Sequence, residues 1–139
     1  EKDFKERLTP LLKEFRMERH LEHFPVHFSK GMRQKVMIMC AFLIHPPLYI
    51  VDEPFVGLDP LGIQSYLDLM NNMKEKGAAV LMSTHILATA EKYSDRFIII
   101  HEGKLKAVGT LDDLRKDFQM PGATLDDIYI ALTKEDQHV

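Results

Sequence analysis

The spacing of apolar residues predicts a helical start to the chain. Apolar side chains recur at helical intervals in the first segment: Phe4, Leu8, Leu11, Leu12 and Phe15. Because proline lacks the N–H that a helix interior uses, Thr9 and Pro10 are expected to divide this segment into two short helices. Thr9 would then be the N-cap of the second helix, with Pro10 as its first residue.

A second helix is predicted over residues 31–44, with Ser29 as its N-cap. Its C-terminal end is apolar nearly all round, so we expect it to be buried there, with Cys40 as a reduced core residue. Pro46 and Pro47 end it. Five methionines lie on apolar faces of the chain and are expected to fill gaps in the core: Met37, Met39, Met70, Met73 and Met82.

Strands and helices alternate in the middle of the chain. Residues 48–51 form an apolar run suited to a strand buried on both faces, and a second apolar run ends at Thr84. Between them, a helix is expected to begin at Pro60 with Asp59 as its cap. Strands separated by helices predict an α/β fold, with a mainly parallel sheet and flanking helices.

The C-terminal part carries signals for a hairpin and two capped helices. Residues 97–100 and 105–108 are apolar runs on either side of a Glu-Gly turn at residues 102–103, which is typical of a β-hairpin. The tetrapeptide TLDD occurs at residues 110–113 and 124–127. Each copy resembles a capping box with Asp in place of Glu, and each is expected to open a short helix.

Composition limits the classes of protein that the chain can be. It has 139 residues, of which 45% are hydrophobic, and this supports a single globular domain rather than disorder. The formal net charge of −3 gives no electrostatic basis for binding nucleic acid. No apolar run reaches the ~18 to 20 residues that span a bilayer. Cys40 is the one cysteine, so no intrachain disulfide can form.

Two adjacent carboxylates at the end of an apolar run are the first indication of chemistry. Residues 48–54 read LYIVDEP, which places Asp52 and Glu53 directly after the apolar residues. An unpaired carboxylate is costly inside a core, so both are expected at the carboxyl end of the strand, where parallel sheets place ligands. There one carboxylate can hold a divalent metal and its neighbour can polarise water for attack on a phosphate. A strand ending in a solvated acidic turn is the alternative interpretation.

The segments around this strand help to decide between these two interpretations of Asp52 and Glu53. Residues 28–36 read FSKGMRQKV, residues 57–60 read GLDP, and an apolar run over residues 78–84 is followed by His85. In this order and at this spacing, the four segments resemble the signature motif, Walker B motif, D-loop and switch histidine of an ABC transporter ATP-binding subunit. The resemblance is to the C-terminal half of that subunit and covers essentially the whole chain.

The resemblance implies roles for four residues near the phosphates. Asp52 resembles the residue that holds Mg²⁺ through water, and Glu53 resembles the general base, or the group that orients the attacking water. His85 resembles the switch histidine that contacts the γ-phosphate. Asp59 resembles the D-loop aspartate that spans the dimer interface and couples the two sites.

The resemblance also places Ser29, Lys30, Gly31 and Met32 in the signature motif, which faces the γ-phosphate bound by the opposite subunit. They lie at a predicted helix N-terminus, where free N–H groups and the helix dipole favour anions. Lys30 stands where the family usually has Gly, and Met32 where it usually has Gln; this wording is similar to that of Ecs-type bacterial exporters. Taken alone, the four residues are also consistent with an ordinary capped helix.

The resemblance implies a partial P-loop NTPase fold that lacks the phosphate-loop strand. The family's phosphate loop reads G-x-x-x-x-G-K-[ST], and no segment of the chain matches it. We therefore interpret the chain as the second half of a nucleotide-binding domain. Residues 1–45 would be part of the helical subdomain, residues 46–109 half of the catalytic core, and residues 110–139 C-terminal helices.

The missing strand has a structural consequence. In the family's sheet, the phosphate-loop strand lies between the strand that ends at Thr84 and the strand over residues 97–100. Without it, the backbone N–H and C=O groups on the facing edges of these two strands would be left without partners. An open strand edge also invites pairing with another chain. We therefore expect either a rearrangement that closes the gap or association with a second copy.

For the complete domain, the resemblance implies an ABC-type ATPase that hydrolyses the phosphoric anhydride bond of ATP with Mg²⁺. The expected partners are a second ATP-binding subunit, in a head-to-tail dimer, and a membrane permease, which would hold the protein in the cytoplasm at the inner face of the membrane. Nucleic acid is not expected, and the isolated chain is expected to be inactive. Two alternatives stay open: an ABC ATPase without a membrane partner, of the translation or DNA-repair type, and a non-enzymatic dimerisation or regulatory module.

Overall fold

The computed structural model describes residues 2–135 and divides into two compact units at the boundary between Ser83 and Thr84. The first unit contains three helices, two 3₁₀ turns and a pair of strands. Their bounds are α1, Lys2–Glu14; the 3₁₀ turns, Glu18–His20 and Pro25–His27; α2, Lys30–Phe42; β1, Leu48–Asp52; α3, Pro60–Glu75; and β2, Ala79–Ser83.

The first helix continues through Pro10, so the prediction of two short helices divided at this point is wrong. Thr9 is not an N-cap; its hydroxyl donates a hydrogen bond to the carbonyl of Lys5 over 2.8 Å. Leu11 of α1 and Phe15, the residue that follows the helix, are buried, and α1 contacts α2. Their burial offsets the one backbone hydrogen bond that proline removes.

Four aromatic rings form the centre of the first unit. Phe42 of α2 stacks on Tyr49 of β1 with 4.6 Å between ring centroids, and Tyr66 of α3 meets Phe42 edge-on at 5.9 Å. Phe55 meets Tyr66 edge-on at 5.7 Å. Stacked and edge-on aromatic pairs each contribute about 0.5–1.5 kcal/mol beyond the area that they bury. The cluster therefore ties two helices and the turn after β1 to one face of the sheet.

The sheet of the first unit is covered on one face. β1 and β2 pair in parallel, and Tyr49 points into the aromatic cluster. On the opposite face Ile50 is 73% exposed and Leu81 is 50% exposed. The prediction that the first strand is buried on both faces is therefore wrong for this chain, because a strand needs a packed layer on each side to be covered twice.

The second helix also has one open side. Ile38, Met39 and Phe42 are buried, whereas Met37 and Ile44 are 67% and 74% exposed and Cys40 is exposed. The predictions that this end of the helix is fully buried, and that Cys40 and Met37 are core residues, are wrong. Three of the other predicted core methionines are buried, namely Met39, Met70 and Met73. The fourth, Met82, is half-buried.

The second unit consists of three helices around a hairpin. Its elements are α4, Leu87–Tyr93; β3, Phe97–His101; β4, Lys104–Gly109; α5, Leu111–Asp117; and α6, Leu125–Glu135. β3 and β4 pair antiparallel across Glu102 and Gly103, which both have positive φ (49° and 72°), as a tight two-residue hairpin requires. Leu114 and Ile128 are fully buried in its core. The predicted hairpin is confirmed.

Both predicted capping boxes are present. The Thr110 hydroxyl accepts a hydrogen bond from the Asp113 N–H, while the Asp113 carboxylate accepts one from the Thr110 N–H. Thr124 and Asp127 repeat this reciprocal pattern at the start of α6. Hydrogen bonds from the threonines to the two carboxylates lower the pKa values of Asp113 and Asp127. Each box satisfies N–H groups that a helix end otherwise leaves open.

The two strand pairs form separate sheets. β1 pairs with β2 in the first unit, and β3 pairs with β4 in the second. Closure of the expected gap and association with a second copy both stay predictions. None of the helices between residues 2 and 135 combines the length and the hydropathy needed to cross a membrane.

The buried hydroxyl of Tyr66 yields a stability prediction. Tyr66 is 1% exposed, burial raises its pKa, and its hydroxyl has no hydrogen-bond partner within residues 2–135. A buried unsatisfied polar group costs about 1–3 kcal/mol. Tyr66→Phe keeps the ring contacts and removes that cost, so it should raise the free energy of unfolding in urea. Tyr93→Phe, at a half-buried ring, is the control and should change it by less than ~0.5 kcal/mol. Destabilisation by Tyr66→Phe would mean that the hydroxyl has a partner.

Candidate functional site

The two predicted carboxylates lie at the carboxyl end of the parallel strand pair. Asp52 is the last residue of β1 and stands in register with Ser83, the last residue of β2. The Ser83 hydroxyl donates a hydrogen bond to Asp52 Oδ1. The Glu53 N–H donates to the Ser83 carbonyl over 3.1 Å and to the Ser83 hydroxyl over 3.3 Å. The predicted position of both carboxylates is confirmed, and one serine connects them.

Glu53 has an unusual backbone conformation. Its φ is +44°, in the left-handed region that costs a residue with a Cβ roughly 1–2 kcal/mol. Such strain persists only where surrounding structure holds it, and it concentrates at functional sites. Here the two hydrogen bonds to Ser83 hold the Glu53 N–H, and the next residues, Pro54 and Phe55, are buried. One carboxylate oxygen of Glu53, Oε2, is shielded from solvent.

The signature residues lie at the N-terminus of α2. Ser29 is the N-cap, as predicted, and its hydroxyl accepts a hydrogen bond from the Met32 N–H over 3.2 Å. Ser29 and Lys30 are exposed, and Gly31 and Met32 are half-buried. A helix of 13 residues with this open end presents free N–H groups outward.

A close backbone approach explains the glycine at position 31. A Cβ on Gly31 would lie 2.6 Å from the carbonyl oxygen of Gly57, a contact that no larger residue can make. On the other side of this approach, a Cβ on Gly57 would lie 3.4 Å from Cγ of Lys30. The signature residues and the GLDP segment are therefore in direct contact within one chain.

Two further side chains connect α2 to the segment after β1. Gln34 Nε2 donates a hydrogen bond to the Pro54 carbonyl over 3.3 Å. Lys35 Nζ lies 3.2 Å from Asp59 Oδ1, and the Lys35 side chain is 18% exposed. Lys35 is therefore not simply part of a solvated helix face, because it forms an ion pair with a predicted site residue.

Asp59 occupies the N-cap position of α3 without a capping hydrogen bond from its side chain. The carboxylate instead accepts a hydrogen bond from Lys35, which lowers the pKa of Asp59. A Cβ on Gly62 would lie 2.8 Å from Asp59 Oδ1, so a larger residue here would require the carboxylate to shift. The position predicted for Asp59 is confirmed, and its predicted capping bond is replaced by the ion pair.

His85 belongs to the second unit. It lies two residues after the last residue of β2 and is exposed. The adjacent Thr84 hydroxyl accepts a hydrogen bond from the Ile86 N–H over 3.1 Å, which shapes the turn into α4. Seven of the predicted site residues therefore lie in the first unit, whereas His85 lies in the second. The role predicted for His85 stays a prediction.

The oxygen atoms at the end of the strands fit a magnesium ion bound with nucleotide. Mg²⁺ prefers oxygen ligands and keeps several waters, taking one or two carboxylates from the protein and the rest from phosphates. Asp52 is exposed and has the Ser83 hydroxyl beside it. The part of the chain that the structure describes contains no group of three or more His, Cys, Asp or Glu side chains arranged to hold a metal ion.

Ser83, Gln34 and Lys35 were not predicted as site residues. The sequence does contain a signal for Ser83, because it follows the second apolar run as Asp52 follows the first. Parallel strands bring their carboxyl ends together, and this places Ser83 beside Asp52. Gln34 and Lys35 depend on the angle between α2 and the segment after β1, and local sequence carries no signal for it.

Comparison with known proteins identifies the family. The family model of the ABC transporter matches residues 1–56. The ABC-type transporter ATP-binding protein EcsA of Bacillus subtilis (strain 168) is 67% identical over 130 residues, which cover 94% of this chain and 53% of EcsA. A solved structure of the ATP-binding subunit of an ABC transporter superposes with a TM-score of 0.92 at 62% identity, over 96% of this chain and 55% of that one.

A more distant structure has the same fold. It is a dimeric ATP-binding cassette in a post-hydrolysis state, bound to ADP and Pi, with a TM-score of 0.68 and 28% identity over 77% of this chain and 47% of that one. The chain spans about half the length of the relatives that it matches. The motif order, the carboxylates at the strand ends and these similarities all agree. The chain belongs to the family of ABC transporter ATP-binding subunits.

Proposed function

We propose that this chain supplies the hydrolytic carboxylates and the signature half-site of an ABC ATPase subunit that couples MgATP hydrolysis in a dimer to transport through a membrane permease. The observation that carries the proposal is the arrangement of Asp52, Glu53 and Ser83 at the shared carboxyl end of β1 and β2. Such an edge is where open α/β sheets bind ligands.

In this proposal, Asp52 and Glu53 divide the work at the γ-phosphate. Asp52 would hold Mg²⁺ through water, with the Ser83 hydroxyl orienting its carboxylate. Glu53 would accept a proton from the attacking water or orient it, and it holds this position with the strained backbone φ of +44°. Phosphoryl transfer needs positioning and charge stabilisation above all, which two fixed carboxylates and a metal can supply.

The N-terminus of α2 would bind the γ-phosphate held by a partner subunit. Ser29 and Lys30 are exposed at this helix end, and Gly31 allows the close approach to Gly57 that holds the end in place. Free N–H groups and a cationic side chain are suited to a phosphate. A head-to-tail dimer with two shared sites, and His85 at the γ-phosphate, complete the proposal.

The chain alone would be inactive in this proposal. No segment matches the phosphate loop, whose backbone N–H groups and Lys supply most contacts to a triphosphate. The complete subunit would act in the cytoplasm, at the inner face of the membrane. The two alternatives are an ABC ATPase without a membrane partner and a non-enzymatic dimerisation or regulatory module, and the second has no need of Glu53.

The first prediction concerns the isolated chain. It should show no binding of MgATP at micromolar concentrations in titration calorimetry, because the main triphosphate contacts are lacking. Circular dichroism of the same sample verifies that the chain is folded. Micromolar affinity would contradict the proposal that another segment supplies the phosphate-binding contacts.

The second prediction concerns Glu53 in a complete domain, made by joining this chain to the phosphate-loop half of EcsA. Glu53→Gln should keep ATP binding and slow hydrolysis by at least ~100-fold, the scale of losing a positioned acid–base group. Glu102→Gln, at the tip of the hairpin, is a matched control and should leave the rate unchanged. Turnover within a few-fold of the parent would remove Glu53 from the role of catalytic carboxylate.

The third prediction tests whether Ser29 acts across a dimer. A Ser29→Ala domain mixed with a Glu53→Gln domain should form a heterodimer with one intact composite site, since each site takes the two residues from different subunits. Purified mixed dimers should recover ATPase activity that neither parent shows. If the heterodimer forms and stays inactive, the head-to-tail arrangement is wrong.

The fourth prediction concerns the ion pair that holds Asp59. Because Lys35 lowers the pKa of Asp59 in the folded chain, the pair stabilises the fold at neutral pH, and this stabilisation is lost as the pH falls through the folded pKa. Lys35→Met should raise the pKa of Asp59, measured by NMR of its carboxyl carbon. Arg33→Met, on the exposed side of the same helix, should leave it unchanged. Equal pKa values in all three proteins would show that the pair does not form in solution.

A further inference from the structure

A pair of histidines lies in the segment between α1 and α2, outside the proposed ATP site. Nδ1 of His20 and Nδ1 of His23 are 3.3 Å apart. The backbone holds the two residues together, because the His23 N–H donates to the His20 carbonyl over 3.0 Å. His23 is exposed and His20 is half-buried, so solvent reaches the pair.

The position of the His20 ring is set by packing as well as by the turn. The ring meets Phe28 edge-on, with 6.4 Å between centroids, and Phe28 is 9% exposed. His20 also ends the 3₁₀ turn Glu18–His20, which restricts its backbone. Packing thus restricts one ring of the pair before a ligand binds. This restriction lowers the conformational entropy cost of binding a ligand.

The distance between the two nitrogens matches a metal chelate. In a tetrahedral zinc site with Zn–N bonds of about 2.0–2.1 Å, two ligating nitrogens lie ~3.3–3.4 Å apart. A square-planar site with bonds of that length would bring them to ~2.9 Å. The observed 3.3 Å, which is also the length of an N–H···N hydrogen bond, lets both nitrogens reach one tetrahedral metal ion with little movement of the rings.

We propose that His20 and His23 form a two-imidazole chelate for Zn²⁺, with water completing the tetrahedron. In the metal-free pair, one Nδ1 carries a proton and donates it to the lone pair of the other. In the zinc complex both Nδ1 lone pairs bind the metal, and each imidazole carries its proton on Nε2. The protein supplies two ligands to this site, and no group of three or more His, Cys, Asp or Glu side chains suited to a metal occurs among the described residues.

The chelate would connect two parts of the loop that leads into α2. Zinc bound to both rings would fix the segment around His20 and His23, and the contact of His20 with Phe28 would extend this restraint to the residue before Ser29. This inference does not depend on the proposed ATPase activity, because it rests on distances within one loop.

Titration calorimetry of the metal-free chain with zinc chloride tests the proposal. Cys40 is an exposed thiol that also binds zinc, so a Cys40→Ser background is used throughout. One zinc per chain should bind, and His20→Ala or His23→Ala should each weaken binding at least ~10-fold, or about 1.4 kcal/mol. His27→Ala, which removes an exposed imidazole from the same loop, is the matched control and should retain the parent affinity.

A second readout separates metal ligation from a structural effect. Imidazole ¹⁵N spectra should show both Nδ1 resonances shifting with zinc, whereas the Nε2 resonances should become those of N–H groups. His23→Gln serves as a second variant if His23→Ala fails to fold. No zinc binding up to millimolar concentrations, or equal affinity in the parent and both single variants, would overturn the proposal. Equal loss in His27→Ala would also overturn it.

Discussion

The parallel pairing of β1 with β2 is the constraint on which the candidate site depends. It places Asp52 opposite Ser83, and the Ser83 hydroxyl then meets the Asp52 carboxylate and the Glu53 N–H. The pairing is held from one side, where Phe42 and Tyr66 pack against each other and Phe42 stacks on Tyr49 of β1. Burial of aromatic rings thus supports a polar arrangement at the strand ends that has little apolar surface of its own.

Contacts with α2 hold the segment after β1 in place. Gly31 permits α2 to approach Gly57, Gln34 bonds the Pro54 carbonyl, and Lys35 pairs with Asp59. One helix thereby contacts both the turn that carries the carboxylates and the GLDP segment at residues 57–60. The N-terminal half of α2 and the turn that carries Glu53 are therefore in direct contact within a single unit.

Features encoded by local sequence were predicted well. Ser29 as a cap, the hairpin at Glu102 and Gly103, and the capping boxes depend on residues within a few positions of one another, so spacing alone indicates them. The motif order around Asp52 likewise indicated the family and the end of the sheet where the carboxylates lie.

The wrong predictions concern burial, which depends on partners distant in sequence. Cys40 and Ile50 lie in apolar runs, but each is exposed because no packed layer covers its face. Ser83 and Lys35 depend in the same way on strand register and helix angle. Thr9 was misjudged because a proline signal was given more weight than the buried face of α1.

We propose that Asp52, oriented by the Ser83 hydroxyl, holds the metal at the shared end of β1 and β2. The most direct measurement is paramagnetic broadening by Mn²⁺, substituted for Mg²⁺ with ATP in the complete domain. The account predicts that the Asp52 carboxyl and the Ser83 amide signals broaden first, and that Asp52→Asn abolishes the effect. Broadening centred elsewhere, and unchanged by Asp52→Asn, would contradict it.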